Sequence, residues 1–338
     1  MIAGALNRVL DGHDLTQDEA REAMGTIMRG EATPAQIAGF LVALRSKGET
    51  ADEIAGCAEA MREHALAVRP AREDLVDTAG TGGGGASTIN ISTAAALVAA
   101  AAGAAVAKHG NRAVSSACGS ADVLEALGFE LELPPDRVAR SIDELGFGFL
   151  FAPAHHPAMR HAAQVRRELA TRTVFNLLGP LTNPAGARAQ ILGVYSPALV
   201  RKIADVLARL GTRHAFVVHG AGEIDELSPC GPSLVCEVVD GHVRERTIDP
   251  EDLGVERCGP EALRGGSPAE NAEAIRAVFA GGNGPPRDAV LLNAAGAIAA
   301  AGHAEDLREG MELARAAVDS GAAAERLEQL AAFSREAA

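Results

Sequence analysis

The sequence is poor in aromatic residues: its 338 residues include no tryptophan, one tyrosine and nine phenylalanines. Proteins that bind single-stranded nucleic acid stack bases on aromatic rings, so this composition argues against that class. Basic residues are also in the minority, with 31 lysines and arginines against 45 aspartates and glutamates and a formal net charge of −14. We therefore expect no nucleic-acid partner, because an acidic chain has no general attraction for a phosphate backbone.

Cysteines are few, odd in number and widely spaced, and no CxxC pair occurs. This usage argues against both a disulfide scaffold and a structural zinc site. The most apolar stretch, Thr93 to Ala107, is mostly alanine and is too short to span a bilayer. Because the N-terminal residues also lack a basic leader, we expect a cytoplasmic protein with no membrane partner.

Helix signals dominate the beginning of the chain. Three threonines are each followed three residues later by glutamate or glutamine, which is the capping-box pattern: Thr16 with Glu19, Thr33 with Gln36, and Thr50 with Glu53. We therefore predict an all-helical N-terminal domain over residues 1–70, joined by helices from about residues 160–185.

After Pro70 the pattern becomes strand, glycine-rich turn and helix in alternation. Such alternation predicts an α/β domain with a mostly parallel central sheet, which we place at residues 71–338. Two β-like runs between Ser233 and Arg246 flank Asp240-Gly241, and this predicts a hairpin within that domain.

A glycine-rich segment from Asp77 to Thr93 lies between a predicted strand and a predicted helix. Backbone N–H groups in such a turn can approach an anion closely, and the helix N-terminus adds further donors. A flexible turn with an ordinary helix cap would also explain the glycines. The following Asn90, Ser92 and Thr93 favour a phosphate site, because amide and hydroxyl groups suit both capping and phosphate contact.

Cations and hydroxyls are concentrated between Lys108 and Ser120, directly after another predicted strand. With Lys108, His109 and Arg112, the segment predicts a local positive patch in an otherwise acidic chain. The alternative is a solvated loop, but ligands of α/β proteins bind at this end of the strands.

Three arginines follow a histidine pair. Arg160 and Arg167 share a helical face, and Arg166 lies a turn and a half beyond Arg160. An arginine directed into a cleft suits a carboxylate, although ion pairing with Glu168 explains any one of them equally well. Adjacent residues rarely share a face, so we expect the neighbouring histidine pair, 155–156, to pack or to line a substrate site.

Asp225 and Glu226 follow a predicted strand. Adjacent carboxylates at a strand end suit Mg²⁺, which is commonly held by one or two carboxylates together with substrate phosphates. Such a pair by itself is more often a solvated loop. Combined with a phosphate loop and a carboxylate-binding arginine, it implies a phosphorylated, Mg²⁺-bound substrate that meets a small acid.

At this point the chain closely resembles the anthranilate phosphoribosyltransferase family over essentially its whole length. The motifs that carry the resemblance, in order, are GTGG at Gly80–Gly83, NIST at Asn90–Thr93, KHGNR at Lys108–Arg112, VRRE at Val165–Glu168, RTVFNLLGPLTNP at Arg172–Pro184 and DELS at Asp225–Ser228. The resemblance implies a nucleoside phosphorylase/phosphoribosyltransferase-like fold and a homodimer. It also implies phosphoribosyl transfer from phosphoribosyl pyrophosphate to anthranilate, in tryptophan biosynthesis.

The resemblance also implies site residues. Those for phosphoribosyl pyrophosphate are Gly80, Gly83, Gly84, Thr88, Asn90, Ile91, Ser92, Thr93, Lys108, His109, Gly110, Asn111, Arg112, Ala113, Val114, Ser115, Ser116 and Ser120. Those for anthranilate are Gly80, Asn111 and Arg166, and those for Mg²⁺ are Ser92, Asp225 and Glu226. We expect no side chain to act as a covalent nucleophile.

Three positions depart from the family pattern. Gly84 stands where the family usually has aspartate, and Gln164 and Ala170 stand where it often has proline and glycine. Two alternatives also remain open: glycosyl or phosphoribosyl transfer to another aromatic acid or base, and a non-catalytic paralogue that binds nucleic acid. The acidic charge and the retained Asp225-Glu226 pair argue against the second.

Overall fold

The computed structural model describes residues 2–82, 87–113 and 117–336. All three predicted capping boxes are present, with each threonine hydroxyl accepting from the backbone N–H of the residue three positions later. The reciprocal Glu or Gln contacts are formed as well, so both ends of each box stabilise the first helical turn. The helices of this N-terminal segment are α1 Ile2–Leu10, α2 Gln17–Met28, α3 Pro34–Lys47 and α4 Ala51–Glu63.

A seven-stranded sheet forms the centre of the remainder, in the order β3-β2-β1-β4-β5-β6-β7. The strands are β1 Leu75–Gly80, β2 Ala105–Gly110, β3 Phe147–Phe151, β4 Ala189–Gly193, β5 His214–His219, β6 Ser233–Val239 and β7 His242–Ile248. Strands β1 to β5 run parallel to one another, and β6 pairs antiparallel with both β5 and β7. The predicted α/β fold with a mostly parallel sheet is confirmed.

The predicted hairpin is also confirmed, because β6 and β7 pair on either side of Asp240-Gly241. Both turn residues have positive φ, 46° for Asp240 and 82° for Gly241. This is the conformation that matches a two-residue turn to the twist of its strands, and glycine adopts it without steric cost.

Helices cover both faces of the sheet. After the N-terminal segment they are α5 Ile91–Ala101, α6 Ser120–Ala126, α7 Pro135–Leu145, α8 Ala152–His155, α9 Arg160–Leu169, α10 Phe175–Leu178, α11 Ala198–Arg209, α12 Pro268–Phe279, α13 Pro285–Ala301, α14 Leu307–Asp319 and α15 Ala322–Arg335. None of the helices in the described ranges is long and apolar enough to cross a membrane.

The two faces of the sheet belong to different apolar clusters. On one face, α5 and α13 pack with the strands and with the C-terminal helices. On the other, side chains of β4, β5 and α11 share a cluster with α1–α4, α9 and α10. The N-terminal helices therefore pack on the sheet through residues far along the chain, including those of α11.

Candidate active site

The carboxylate pair lies in the loop after β5, which folds back over the ends of β1 and β4. Asp225 Oδ2 accepts a hydrogen bond of 3.0 Å from the backbone N–H of Gly82. Glu226 Oε1 accepts one of 3.1 Å from the backbone N–H of Ser92, at the start of α5. The structure thus brings the predicted metal residues Asp225 and Glu226 next to Gly82 and Ser92, which both belong to the glycine-rich segment.

Burial raises the pKa of Asp225, and burial together with the neighbouring Asp225 charge raises the pKa of Glu226 well above its usual range. Two half-buried carboxylates that repel each other favour the binding of a cation between them. In the described ranges no group of three or more His, Cys, Asp or Glu side chains is placed to hold a metal. Asp225, Glu226 and Ser92 line one small cavity, and carboxylate and hydroxyl oxygens are the hard donors that suit Mg²⁺ completed by substrate and water oxygens.

Two glycines make room for this loop. Gly80 and Gly193 are register partners at the ends of β1 and β4. A Cβ on Gly193 would overlap the carbonyl oxygen of Asp225, and a Cβ on Gly80 would lie 2.8 Å from Asp225 Oδ2. Gly80 belongs to a glycine-rich motif, but Gly193 is isolated at a strand end and its role was missed, because nothing in the sequence shows that a loop crosses there.

Asn293 on α13 fixes the residue that follows the carboxylates. Its Oδ1 accepts from the backbone N–H of Leu227 at 2.9 Å, and its Nδ2 donates to the carbonyls of Leu227 and Ala289, both at 2.8 Å. Asn293 is 2% exposed. Sequence reasoning missed it, although a lone amide in an otherwise alanine-rich helix is a signal that could have marked it.

The start of α5 differs from the expected helix cap. Asn90 occupies the N-cap position, but its side chain makes no capping hydrogen bond. Its amide instead joins two other segments, donating to the Cys118 carbonyl and accepting from Asn271 Nδ2. The Asn90 side chain therefore does not cap the helix, although its residue type suits that position, and the Glu226 carboxylate accepts from the Ser92 N–H.

The remaining predicted residues at this helix are buried or paired. Ile91 and Thr93 are fully buried, and Thr93 Oγ1 has no hydrogen-bond partner in the described part of the chain. Thr88 forms an isolated antiparallel bridge with Arg264. Five predicted phosphoribosyl pyrophosphate residues, Gly83, Gly84, Val114, Ser115 and Ser116, lie outside the described residues.

Lys108 lies inside the sheet and is 2% exposed. Its Nζ donates to the carbonyl oxygen of Thr78 at 2.5 Å and to Thr78 Oγ1 at 3.1 Å. Burial lowers the pKa of Lys108, and the charges of Asp77 and Glu226 oppose that shift. The ammonium is therefore buried beneath the site and holds Thr78 in place through these hydrogen bonds. The Thr78 hydroxyl in turn donates to the Ser92 carbonyl.

Asp77 is a buried part of β1 rather than of the loop that follows it. It accepts from the backbone N–H of His109 at 3.1 Å and from Asn183 Nδ2 at 2.7 Å. Asn183 also donates to the Ala107 carbonyl, so the two side chains bind β1 to β2. Sequence reasoning missed both residues as organisers of the site.

The predicted positive patch is weaker than its composition suggests. Burial, with a contribution from His156, lowers the pKa of His109 to about 3, so its imidazole is neutral at pH 7. Lys108 is enclosed, which leaves Arg112 as the exposed cation of the three. Of the three potential cations, two therefore lie buried in β2, the charged Lys108 and the neutral His109, and Arg112 alone presents its charge to solvent.

His109 and His156 form a buried pair with their ring centroids 5.0 Å apart. Nδ1 of His109 bonds to the carbonyl of Gly179 at 3.1 Å, and Nε2 of each ring is buried without a partner in the described part of the chain. Burial also lowers the pKa of His156 to about 4. The pair therefore presents neutral nitrogens to the interior, next to the segment after α10.

The residues directly after β2 are held by the start of α6. Ser120 Oγ accepts from the Asn111 N–H and donates to its carbonyl, both at 3.2 Å, and a Cβ on Gly110 would overlap this hydroxyl. Asp122 accepts from the backbone N–H groups of Ala113 and Gly119, both at 2.9 Å. Arg112 forms ion pairs with Asp122 and Glu125. Sequence reasoning missed Asp122 as a residue that holds this segment, although its position three residues after Gly119 resembles a capping pattern.

Of the three arginines on α9, Arg160 and Arg167 are exposed and Arg166 is half-buried. The Arg166 guanidinium lies 5.0 Å from the ring centroid of Phe175. No hydrogen bond or ion pair joins it to another described residue, and burial alone lowers its pKa. The structure therefore does not link it directly to Gly80 or Asn111, but it does leave a half-buried guanidinium without a counter-ion.

Ala170 ends α9 in the left-handed region, at φ 46° and ψ 32°. A residue with a Cβ pays about 1 kcal/mol in this conformation, which glycine adopts freely. We expect Ala170→Gly to raise the free energy of unfolding by about 0.5–1 kcal/mol, as measured by urea denaturation. Ala163→Gly, at an exposed interior position of the same helix, serves as the control and is expected to lower it by about 1 kcal/mol. Equal losses in both variants would contradict the strain at Ala170.

Sequence comparisons match two parts of the chain to one family. Residues 3–65 match the helical bundle domain of a glycosyl transferase family, and residues 72–324 match its a/b domain. An anthranilate phosphoribosyltransferase from Chloroflexus aggregans is 57% identical over 336 residues, covering 99% of this chain and 98% of its own.

Solved structures agree with these matches. The anthranilate phosphoribosyltransferase of Thermus thermophilus has a TM-score of 0.93 and 52% identity, covering 98% of this chain and 99% of its own. That of Saccharomyces cerevisiae, solved in complex with PRPP and Mg, has a TM-score of 0.89 and 29% identity, covering 98% and 97%. The same yeast enzyme has been solved with 4-fluoroanthranilate, at a TM-score of 0.87 and 27% identity, again covering 98% and 97%.

Proposed function

The chain belongs to the anthranilate phosphoribosyltransferase family, within the glycosyl transferase family, and from this premise we propose how its residues carry out the reaction. The enzyme transfers the phosphoribosyl group from phosphoribosyl pyrophosphate to the amine of anthranilate, a step of tryptophan biosynthesis. The products are N-(5′-phosphoribosyl)anthranilate and pyrophosphate. The assignment of roles rests on one observation: Asp225 and Glu226 are hydrogen-bonded to the backbone of the glycine-rich segment, at Gly82 and Ser92.

We place the phosphoribosyl donor between that pair and the segment after β2. Asp225, Glu226 and Ser92 would hold Mg²⁺, which when bound neutralises charge on the pyrophosphate leaving group. Residues of the glycine-rich segment between β1 and α5 would contact phosphate oxygens. Arg112 is exposed and paired with carboxylates, so it can exchange those partners for a phosphate.

In this arrangement catalysis rests on positioning and electrostatics. As pyrophosphate leaves, the ribose carbon develops oxocarbenium character, as in glycosyl transfer generally. The aromatic amine of anthranilate is neutral at pH 7, so it needs no strong base to free its lone pair. We therefore propose that no side chain forms a covalent ribosyl intermediate, and isolation of a ribosylated peptide during turnover would overturn this.

Arg166 is the proposed contact for the anthranilate carboxylate. Its guanidinium is half-buried, packs against Phe175 and has no anionic partner among the described residues. A bidentate carboxylate would compensate that buried charge. Gly80 and Asn111, which border the donor site, would contact the same substrate.

The activity can be tested by mixing the protein with Mg²⁺, phosphoribosyl pyrophosphate and anthranilate, and following the loss of anthranilate fluorescence. We expect the loss to require all three components. No loss at micromolar enzyme would overturn the proposed function. Turnover with another aromatic acid or base but not with anthranilate would favour the related transferases.

Replacement of Arg166 by alanine is expected to raise the KM for anthranilate by about 10–100-fold, which corresponds to one lost charge-assisted contact. The KM for phosphoribosyl pyrophosphate should change by less than about threefold. Arg167→Ala, which removes an exposed guanidinium from the next position, is the control and should leave both constants unchanged. Equal increases for the two substrates in Arg166→Ala would show that Arg166 acts elsewhere.

We further propose that the enzyme is a cytoplasmic homodimer. Leu10 and Val42 are 65% and 42% exposed, and they project from the packed helices α1 and α3. Burial of these side chains against a second copy would remove apolar surface from water. Sedimentation velocity of the wild type and of a Leu10→Lys, Val42→Lys variant tests this, with a shift to monomer expected for the variant. An unchanged sedimentation coefficient would overturn the proposed interface.

A further inference from the structure

Two cysteines that are 28 positions apart in the sequence meet beside the carboxylate loop. The Sγ atoms of Cys230 and Cys258 are 3.9 Å apart, and both side chains are partly exposed. The backbone N–H of Cys258 donates to the carbonyl of Pro229 at 3.2 Å, which holds the two backbones side by side. The other three cysteines of the chain are buried.

Each member of the pair is tied to one side of the proposed donor site. The backbone N–H of Cys230 donates at 3.0 Å to Oγ of Ser228, which belongs to the same loop as Asp225 and Glu226. The Ser228 hydroxyl also donates to the Ala221 carbonyl at 2.7 Å, so Ser228 connects Cys230 to the beginning of this loop.

Cys258 begins the segment that runs beside the glycine-rich loop. Within that segment the Leu263 carbonyl accepts from the Ile89 N–H at 3.0 Å, and the Gly265 N–H donates to the Ser87 carbonyl at 2.9 Å. Thr88 and Arg264 form a bridge between these two bonds. A 3-10 helix spans Pro260–Leu263, and residues 263–265 at its end thus pair with residues 87–89, which lead into α5.

We propose that Cys230 and Cys258 are a redox modification site, at which a reversible disulfide fastens the carboxylate loop to the segment beside the glycine-rich loop. A disulfide requires the sulfurs to approach to about 2.05 Å, so closure needs a combined movement of about 2 Å. The two partly exposed side chains leave room for this movement and for a small oxidant. Reactive disulfides in reducing compartments are typically transient and serve redox sensing.

The oxidant is a low-molecular-weight disulfide such as oxidised glutathione. The thiolate of one cysteine attacks a glutathione sulfur, and one glutathione thiolate leaves. The second cysteine thiolate then attacks the resulting mixed disulfide and expels the other glutathione. Two electrons pass from the protein to the glutathione disulfide, and the two cysteine protons end on the two glutathione thiols.

Burial and the adjacent Cys230 thiol raise the pKa of Cys258 to about 11. At neutral pH this thiol is therefore protonated, and the reduced pair is free of charge repulsion. Closure should accordingly be slow and should depend on a sustained oxidising ratio of glutathione rather than on a brief exposure.

Peptide mapping of the intact protein tests the site. After incubation with oxidised glutathione and alkylation of free thiols, trypsin releases Cys230 within residues 214–244 and Cys258 within residues 258–264. We expect these peptides to be joined, two hydrogen masses below their sum, and separated by dithiothreitol. Cys236 shares the first peptide, so Cys236→Ala is the control that must retain the link, while Cys230→Ser and Cys258→Ser must each lose it. Absence of the joined peptide, or glutathione retained on Cys230, would overturn the proposal.

The effect on the donor site depends on the proposed function and has its own readout. Because the disulfide restrains both sides of that site, oxidation should raise the KM for phosphoribosyl pyrophosphate about fivefold or more. The KM for anthranilate should stay unchanged. Dithiothreitol should return the KM for phosphoribosyl pyrophosphate to its original value. Linked protein with unaltered constants would overturn the restraint. Reduced protein without any activity would instead overturn the proposed function, because the mass of the joined peptide does not depend on catalysis.

Discussion

An Asp225→Asn, Glu226→Gln variant is expected to lose about three orders of magnitude in kcat/KM for phosphoribosyl pyrophosphate, equivalent to roughly 4 kcal/mol of transition-state stabilisation. The amides keep an oxygen that can accept from the N–H groups of Gly82 and Ser92, so the loop can stay in place. What they remove is the negative charge that would hold Mg²⁺. The measurement is the initial rate over a range of donor and Mg²⁺ concentrations.

Stability should move in the opposite direction. Burial raises the pKa values of both carboxyls, and the Asp225 charge raises that of Glu226 further, which means that the folded state disfavours their charged forms. Neutral amides should therefore leave the midpoint of thermal unfolding unchanged or higher. Glu223→Gln, an exposed position in the same loop, is the matched control and should retain full activity. A double variant that keeps more than about a tenth of the wild-type kcat/KM would show that the pair is not the metal site.

Lys108→Met is expected to lower the free energy of unfolding by about 3 kcal/mol or more. The substitution removes two hydrogen bonds from a buried ammonium to Thr78 and leaves the Asp77 carboxylate in the interior without its nearest cation. Urea denaturation followed by circular dichroism measures the loss. Because Thr78 also bonds the Ser92 carbonyl, we expect activity to fall as well, through displacement of the start of α5.

Two further variants separate this explanation from direct binding of phosphate by Lys108. Lys202→Met removes a half-buried ammonium that donates to the Glu49 carbonyl, and it should cost less than about 1.5 kcal/mol. Adding Asp77→Asn to Lys108→Met should recover part of the loss, because the uncompensated charge is gone. A Lys108→Met protein of wild-type stability with a raised KM for the donor would indicate that Lys108 contacts the substrate itself.

Local signals predicted the elements that depend on neighbours in sequence. The capping boxes at Thr16, Thr33 and Thr50 and the Asp240-Gly241 turn were all confirmed, since each needs only side chains or backbone angles within a few residues. The order of strands and helices along the chain likewise predicted an α/β fold with a mostly parallel sheet.

The same local reasoning failed where contacts come from distant segments. Asn90 has the right residue type for a cap, but Cys118 and Asn271 engage its side chain. His109 has the right residue type for a cation, but burial keeps it neutral. Three residues that the sequence did not mark contact other elements: Gly193, Asn293 and Asp122. Gly193 and Asn293 are each a single residue in a strand or a helix, and such a residue gives little sign in the sequence of a distant contact.

The sequence by itself determined the kind of chemistry: a glycine-rich turn before a helix, an arginine for an acid and adjacent carboxylates for a hard cation, in motifs that resemble one family. Only the tertiary structure decided which charged side chains are exposed at the site and which are buried beneath it. Parallel strands bring distant residues to one edge, where Gly82 meets Asp225 across 143 positions and Ser92 meets Glu226 across 134. The same sheet encloses Lys108 and His109, and burial shifts their pKa values in a way that residue type cannot reveal.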